Sequence, residues 1–586
     1  MSTQHDRNLL ERGATALRAG DLAAAERFCS EVLERAPGDA EALNIMGAIA
    51  FTRQNYTEAE RLFALSAAAS PENLGPLFNL GKVLEVQRRL SDAAAAYTKI
   101  LTKQSGNHET LLRLGIVRYQ QGQIDDAATA FEQILSDDPA NETAMLSLGV
   151  AYNAVGRYED SVRELRGLLS RHPDHAEARH ALADSLYEMH RVEEAANVCR
   201  AALMADRNDV QAMILLGQVE CDRGNYTVAE KLFRAAAARD AERYEPPMNL
   251  GVLFQRLGRL EEALTEGKRA LDLGPSEPLA HVNYGMALLL GGDFAAGWSQ
   301  FEWRAADQKM RDHFPYRGHL PLWTGERFDG TLLIAREQGL GDFIAFSRFF
   351  THARERVQRL VVETPPELYE LYRGIQGIDW RSGRCDAETL GDVRAHVSLC
   401  SLPFVLRTGA EVGVKVPYVS VPQVRRGRFR DEMKVANDAF RVGIVWAGSP
   451  GHLLDRYRSA PTRAYAALAD LPGIAWFSLQ KGAHEPMRTL PIVDLAPELG
   501  DFADTAAALE ELDLIISVDT AVAHLAGAMG KPIWLLNGFG SYWLWQLDRA
   551  DSPWYPTMRL FRQQRPNDWT SLFDEVRRAL KERIQA

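Results

Sequence analysis

Four short segments combine residue types that can do chemistry with small residues that let a ligand come close. The first, Glu337-Gln338-Gly339-Leu340-Gly341-Asp342, joins a strand-like run, TLLIAREQ, to a helix-like one, FIAFSRFF. Glycine permits close backbone approach, and a helix N-terminus offers N–H groups to an anion or an acceptor hydroxyl. Asp342 reads either as a helix cap, where aspartate is favoured, or as a carboxylate that takes a proton. One residue can do both. The second segment is Trp446-Ala447-Gly448-Ser449-Pro450-Gly451-His452, running on to Asp455-Arg456-Tyr457-Arg458-Ser459. A small-residue turn carrying Ser449 and followed by Arg456 and Arg458 suits a diphosphate, because guanidinium groups bind phosphate oxygens bidentately. The alternative is an exposed charged loop. In the third, Gln480-Lys481-Gly482, one ammonium can meet a phosphate or a ribose edge.

The fourth segment, LDLIISVDTAVAHLAGAMGKPIWLLN, is the sharpest. A strand ends in Asp519, Thr520 is placed to cap the next helix, and His524 lies four residues on, on the same face as Thr520. Ala521, Ala523, Ala526, Gly527, Ala528 and Gly530 keep that helix slim, which suits tight packing or a close ligand. Packing accounts for the alanines. It does not account for Asp519 and His524, polar groups in an apolar run whose burial requires partners.

These segments need a frame to position them, and the pattern beyond residue 325 supplies one. Short apolar runs (TLLIAREQ, RLVVET, RVGIVWAG, IAWFSLQ, LDLIISVD, PIWLLNGF, MRLFRQ) alternate with helix-length stretches, which reads as parallel α/β. The arginine-rich stretch around Arg425 to Lys434 divides the strands into two groups, so two doubly wound subdomains facing a cleft are expected. Its own charge reads as a solvated linker. The expected boundaries are a junction over 306–325, a first Rossmann-like half over 326–422, a basic linker over 423–436 and a second, donor-binding half over 437–586. Ligands of such folds sit beyond the carboxyl ends of the strands, where all four segments lie.

Residues 1–305 are organised differently. A small residue recurs every 34 residues, at Gly13, Gly47, Gly81, Gly115, Gly149, Ala183, Gly217, Gly251 and Gly285. Twelve residues after the first eight stand Ala25, Ala59, Ala93, Ala127, Ser161, Ala195, Ala229 and Ala263. Small side chains at both positions let two antiparallel helices touch, while Phe63, Tyr97, Phe131 and Phe233 fill the space between repeats. Pro37, Pro71, Pro139, Pro173 and Pro275 then end the second helix. This resembles the tetratricopeptide repeat, about nine copies of it, and the resemblance implies an α-solenoid with a concave surface that binds a protein or peptide. Related arrays in enzymes that attach N-acetylglucosamine to proteins use asparagines two positions before the glycine to hold the acceptor. Here that position is asparagine only at Asn79, Asn249 and Asn283, which are the candidate acceptor contacts or simply solvated polar residues.

Gly341-Asp342, the run Asp519-Thr520-Ala521-Val522-Ala523-His524 and the tail Asp551-Ser552-Pro553-Trp554-Tyr555-Pro556 together resemble the heptosyltransferase-like (family 9) glycosyltransferases of the GT-B fold, over residues 310 to 565. The fold class so implied is α then α/β: a repeat solenoid followed by a two-subdomain Rossmann-like GT-B domain. The resemblance implies inverting sugar transfer from a nucleotide diphosphate sugar, with Asp342 as general base. It further implies that Gly341, Asp519, Thr520, Ala521 and His524 hold the donor, with Ser449, Arg458 and Lys481 beside the diphosphate. No Asp-x-Asp triplet occurs, in keeping with transfer that uses no metal and no resident cofactor, the nucleotide sugar being a co-substrate. Arg456 and Arg458 stand where the heptosyltransferases carry a lysine-bearing loop.

The composition narrows the classes. Lys and Arg total 67 against 79 Asp and Glu, a net charge of -12, which works against a nucleic-acid binder. Five scattered cysteines without a CxxC pair, a polar N-terminus and the lack of a long apolar run lead us to expect a cytoplasmic protein with no transmembrane segment. His172, His175, His180 and His190 lack the tight spacing of a metal site. Tyr542, Trp543, Trp545 and Trp554 read as core or as a nucleobase stack. The expectation is a glycosyltransferase acting on a protein presented by the repeats. Two alternatives stand beside it, a glycolipid or polysaccharide acceptor and a non-catalytic repeat scaffold.

Overall fold

The computed structural model describes residues 4–307, 310, 313–386, 390–408, 416–434, 439–449, 455–482, 484–540 and 542–585. The chain divides into two compact units, residues 1–219 and 220–586.

The first unit is built of helix pairs, beginning with Gln4–Arg18 and Leu22–Arg35 and repeating through Val192–Ala205. The reason for the 34-residue period is steric. A Cβ added at Gly47 would stand 2.7 Å from Phe63, and one at Gly81 2.5 Å from Tyr97, because each ring lies flat on the glycine of its own repeat. Gly149 meets Leu165 in the same way, so an aliphatic side chain replaces the ring there. Ala25, Ala59, Ala93, Ala127 and Ala195 are fully buried at the helix crossing. Polar side chains set the helix starts: Asp21, Asp39, Asn55, Asn107 and Asn141 each accept a backbone N–H from the first turn of the helix that follows.

The second unit opens with the remaining helix pairs, ending in Phe294–Phe301 and a 3-10 turn over Glu302–Ala306, and continues as α/β. Four strands, β1 (Phe328–Ala335), β2 (Val357–Thr364), β3 (Asp379–Ser382) and β4 (Val393–Ser398), form a parallel sheet in the order β3-β2-β1-β4. Six more, β5 (Phe440–Val445), β6 (Ile474–Ser478), β7 (Ile492–Asp494), β8 (Leu514–Val518), β9 (Ile533–Asn537) and β10 (Met558–Arg562), form a second parallel sheet in the order β10-β9-β8-β5-β6-β7. The order reverses between β1 and β4 in the first sheet and between β5 and β8 in the second. Such switch points open a crevice at the carboxyl ends of the strands. All seven apolar runs noted above are strands. Three strands lacked that signal: β7 is only three residues long, and β3 (DWRS) and β4 (VRAHVS) interrupt their apolar positions with charge.

One core cluster unites the last repeat with both sheets. It takes in Leu289, Trp298 and Phe301 of the last helix pair, Leu332 and Ile334 of β1, and Ile515 and Leu535 of the second sheet. Trp298 meets Trp543 edge-on at 5.1 Å and Phe346 at 5.9 Å. The arginine-rich linker is not merely solvated. Arg425 pairs with Asp504 at 3.0 Å and Arg428 with the same carboxylate, while Arg426 faces Glu510 and Arg430 faces Glu511. Among the described residues, no helix is long and apolar enough to cross a membrane.

Candidate functional site

The Glu337–Asp342 loop leaves the end of β1 and enters the helix Leu340–Phe346. Gln338 takes a left-handed backbone conformation at φ 61, uncommon for a side-chain-bearing residue and found where surrounding structure dictates it. Asp342 does cap: its Oδ2 accepts the N–H of Gly339 at 3.2 Å, the return bond of a helix start. Its other oxygen, Oδ1, accepts the hydroxyl of Tyr542 at 3.2 Å. Enclosure by protein pushes the carboxyl up to about 6; the two hydrogen bonds oppose that rise, while the charges of Asp519 and Glu337 add to it.

The facing wall is the Asp519–His524 segment between β8 and the helix Ala521–Ala528. Thr520 stands at the N-cap, but its side chain makes no capping bond and its hydroxyl instead lies 3.0 Å from the Ser517 hydroxyl. The capping role expected of Thr520 is therefore corrected: its side chain does not close the start of this helix. His524 is 4 % exposed. Its Nδ1 lies 2.9 Å from the Tyr555 hydroxyl, its ring lies 5.1 Å from Trp545, and Nε2 lies 3.8 Å from Asp519. Burial drives its pKa down to about 4, against the pull of Asp519, so the imidazole is neutral at neutral pH. Those contacts supply the partners that a buried histidine requires.

The two walls meet. A Cβ on Gly341 would stand 2.8 Å from the His524 ring and 3.7 Å from the Ala521 Cα, so only glycine lets the first loop lie on the second helix. Arg348, 4 % exposed, joins the halves further along: its guanidinium donates to the Trp554 carbonyl and covers the rings of Trp554 and Tyr418. The tail motif thus packs the halves together, with the Ser552 hydroxyl accepting the N–H groups of Trp554 and Tyr555.

The loops after β5 and β6 form the rest of the rim. Gln480, 8 % exposed, fastens them together: Oε1 accepts the N–H groups of Trp446 and Ala447 at 3.0 and 2.9 Å, and its amide donates to the Ala447 carbonyl. Ser449 is exposed at the open end of this loop, and Pro450, Gly451 and His452 lie outside the described residues. Arg458 folds over Gly448 and donates to Asp455 at 3.1 Å. The Lys481 ammonium is held by the carbonyls of Leu499 and Gly500. Both cations are therefore engaged by protein groups in this state. The Arg456 side chain lies outside the description.

Asp342 and Gly341 of the first loop meet Asp519, Thr520 and Ala521 of the second segment, with His524 buried beneath them rather than lining the crevice. Arg458, Lys481 and Ser449 belong to the neighbouring rim. Of the repeat asparagines, Asn79 donates to Asn44 in the first unit, whereas Asn249, 9 % exposed in the second, donates to the Glu245 carbonyl. The carbonyl of Asn283 accepts from Gln255. Of the aromatic group, Trp543, Trp545 and Trp554 are buried as core, but Tyr542 is 37 % exposed at the crevice. Gln480, rather than the adjacent Lys481, ties the two loops together. The signal for Gln480 was its place directly after a strand end.

Comparison with known proteins finds a family match for the repeats and another within the C-terminal region. Tetratricopeptide-repeat models match residues 86–148, 118–184 and 152–219, and, for a second model, 10–74, 214–278 and 248–308. The model of glycosyltransferase family 9 (heptosyltransferase) matches residues 479–541, which hold Lys481 and the Asp519–His524 segment. Protein FlbA of Caulobacter vibrioides is 24 % identical over 423 residues, covering 65 % of this chain and 69 % of that protein. Among solved structures, a tetratricopeptide repeat protein from Parabacteroides merdae is 19 % identical with a TM-score of 0.35, over 41 % of this chain and 94 % of its own. TTC0263, a tetratricopeptide repeat protein of Thermus thermophilus, is 25 % identical with a TM-score of 0.30, over 31 % and 99 %. The chain is thus a tetratricopeptide-repeat protein whose C-terminal α/β region carries a match to glycosyltransferase family 9, which supports a glycosyltransferase.

Proposed function

We propose that this chain transfers a sugar, with inversion, from a nucleotide diphosphate sugar to a hydroxyl of a protein held by the repeats, in the two-lobed GT-B manner and without a metal ion. The observation that carries this reading is the Asp342 carboxyl, poised at about 6, facing Asp519 and the uncapped helix start at Thr520 and Ala521. At neutral pH such a carboxyl is mostly ionised yet basic enough to accept a hydroxyl proton, which contributes about 100- to 10,000-fold. The acceptor oxygen forms its bond to the anomeric carbon as the bond from that carbon to the diphosphate breaks. The proton passes to Asp342, and the electron pair leaves with the nucleotide diphosphate. One displacement inverts the configuration.

Asp519 and Thr520 hold the sugar, and the free N–H groups at the start of the Ala521–Ala528 helix favour the diphosphate. Buried His524 acts beneath them by fixing the helix against Gly341. Arg458 and Lys481 exchange their present partners, Asp455 and the Leu499 and Gly500 carbonyls, for phosphate oxygens, offsetting the charge on the leaving group. Asn79 in the first unit and Asn283 in the second are the candidate acceptor contacts of the repeats, whereas Asn249, buried with its amide on the Glu245 carbonyl, serves its own helix. We assign the reaction to the cytoplasm, in keeping with five cysteines that are all free thiols.

The test is calorimetry of the full chain against a panel of nucleotide diphosphate sugars, followed by transfer of an azide-tagged sugar into separated protein and lipid fractions. Binding of one donor and label in the protein fraction support the reading. No binding by any donor at millimolar concentration refutes it, and label confined to lipid refutes the protein acceptor.

A further inference from the structure

The switch point of the first sheet, between β1 and β4, is occupied by a side chain from the repeats. Arg304, in the 3-10 turn after the last repeat helix, is 3 % exposed. Its Nε donates to Glu337 Oε1 at 2.6 Å and Nη2 to Glu337 Oε2 at 2.9 Å, a bidentate pair. Nη2 donates also to the Ser401 hydroxyl at 2.8 Å, and Nη1 to Glu302 at 2.7 Å and to the Phe301 carbonyl at 3.1 Å. All five N–H donors of the guanidinium are thereby used. The Ser401 hydroxyl donates in turn to Glu302 at 2.9 Å. Glu337 follows β1 and opens the loop that ends in Asp342, whereas Ser401 follows β4. One guanidinium therefore ties together the two loops that flank the switch point.

We infer that Arg304 is a positioning residue for the transfer reaction: through Glu337 it fixes the loop that places Asp342 in the crevice, so the end of the repeat array is a working part of the site. This rests on the proposed role of Asp342. The physical case is the contrast between the loop and its anchor. Asp342 is held by two bonds of 3.2 Å at a partly exposed position, so the loop's own contacts fix it weakly. Glu337 is the one side chain of the loop held by a buried bidentate pair, and a misplacement of about 1 Å at a reacting group costs about 100-fold in rate. A lysine at position 304 keeps the charge but cannot form the fork or satisfy both loops.

The experiment uses the full-length chain with Arg304→Lys and has two readouts. Hydrogen exchange of the backbone over residues 337–342 reports the tether without any need for activity, and kcat with donor Kd reports its consequence. Expected are exchange over 337–342 at least about tenfold faster than in the wild type, with kcat lower by about 100-fold and donor Kd within about threefold. Unchanged exchange overturns the inference, as does faster exchange with unchanged kcat. Should the lysine variant fail to fold, Ser401→Ala removes one of the five bonds and is read in the same way, with smaller changes of the same sign expected. If the wild-type chain transfers no sugar, the proposed function fails, while the exchange readout still decides whether Arg304 holds the loop.

Discussion

Tyr542→Phe removes the hydroxyl that donates to the group on which the chemistry turns. Desolvation at the crevice, with the charge of Asp342 beside it, pushes the tyrosine's phenol well above its ordinary range, so it stays protonated and donates to Asp342 Oδ1. That bond stabilises the ionised carboxylate, and its loss must raise the Asp342 pKa. At 3.2 Å, with Tyr542 37 % exposed, the bond belongs at the weak end for a charged acceptor, about 0.5–1.5 kcal/mol. At 1.36 kcal/mol per pKa unit, this moves the carboxyl from about 6 to between about 6.4 and 7. The ionised fraction at pH 7 then falls from about 90 % to between about 50 and 80 %. The assay is kcat/KM for the best donor from pH 5 to 9, which reports the free enzyme's essential base. The acid limb is expected to move to higher pH, with the two enzymes converging above pH 8. A limb that stays in place, or moves to lower pH, refutes the assignment of that limb to Asp342 and the reasoning from this bond.

Three further outcomes follow from the same contacts. Gly341→Ala puts a methyl group 2.8 Å from the His524 ring, so the walls must separate, and we expect a stability loss of about 1–3 kcal/mol by calorimetry together with reduced kcat. Asp342→Asn is expected to raise Tm at pH 7 but not at pH 3. The folded carboxyl keeps its proton to about 6 and the unfolded one only to 3.8, so the native state binds more protons in that window and stability falls as pH rises through it. The ceiling is about 3 kcal/mol, reduced by the partial exposure of the group to about 1–2 kcal/mol. In the first unit, Gly47→Ala sets a methyl group 2.7 Å from Phe63 and is expected to lower the unfolding midpoint of that unit by an amount equivalent to about 1–3 kcal/mol.

What could be read in advance was whatever depends on local sterics. The 34-residue period is legible because an aromatic ring on Phe63 or Tyr97 forbids a side chain at Gly47 or Gly81. The crevice was legible through Asp519 and His524, whose polarity in an apolar run had to be answered by partners; Tyr555 and Trp545 answer it from 31 and 21 residues away. Contacts between distant segments were hidden. Arg304 lies where the repeat register breaks, so neither pattern singled it out, and its partner Glu337 is 33 residues on. The sites of Arg458 and Lys481 were legible as cations after strands, but their present partners were not, since Asp455 and the Leu499 and Gly500 carbonyls are chosen by loop geometry. The linker arginines looked solvated for the same reason: their acids, Asp504 at one end and Glu511 at the other, lie about 80 residues away.

The most direct measurement compares Asp342→Asn with the wild type in donor affinity and in single-turnover transfer. If one carboxylate works across the crevice from a separate donor cradle, the variant binds the nucleotide sugar within about threefold of wild type and transfers it at least about 100-fold more slowly. Turnover at the wild-type rate would remove Asp342 from the chemistry, and with it the mechanism proposed for this chain.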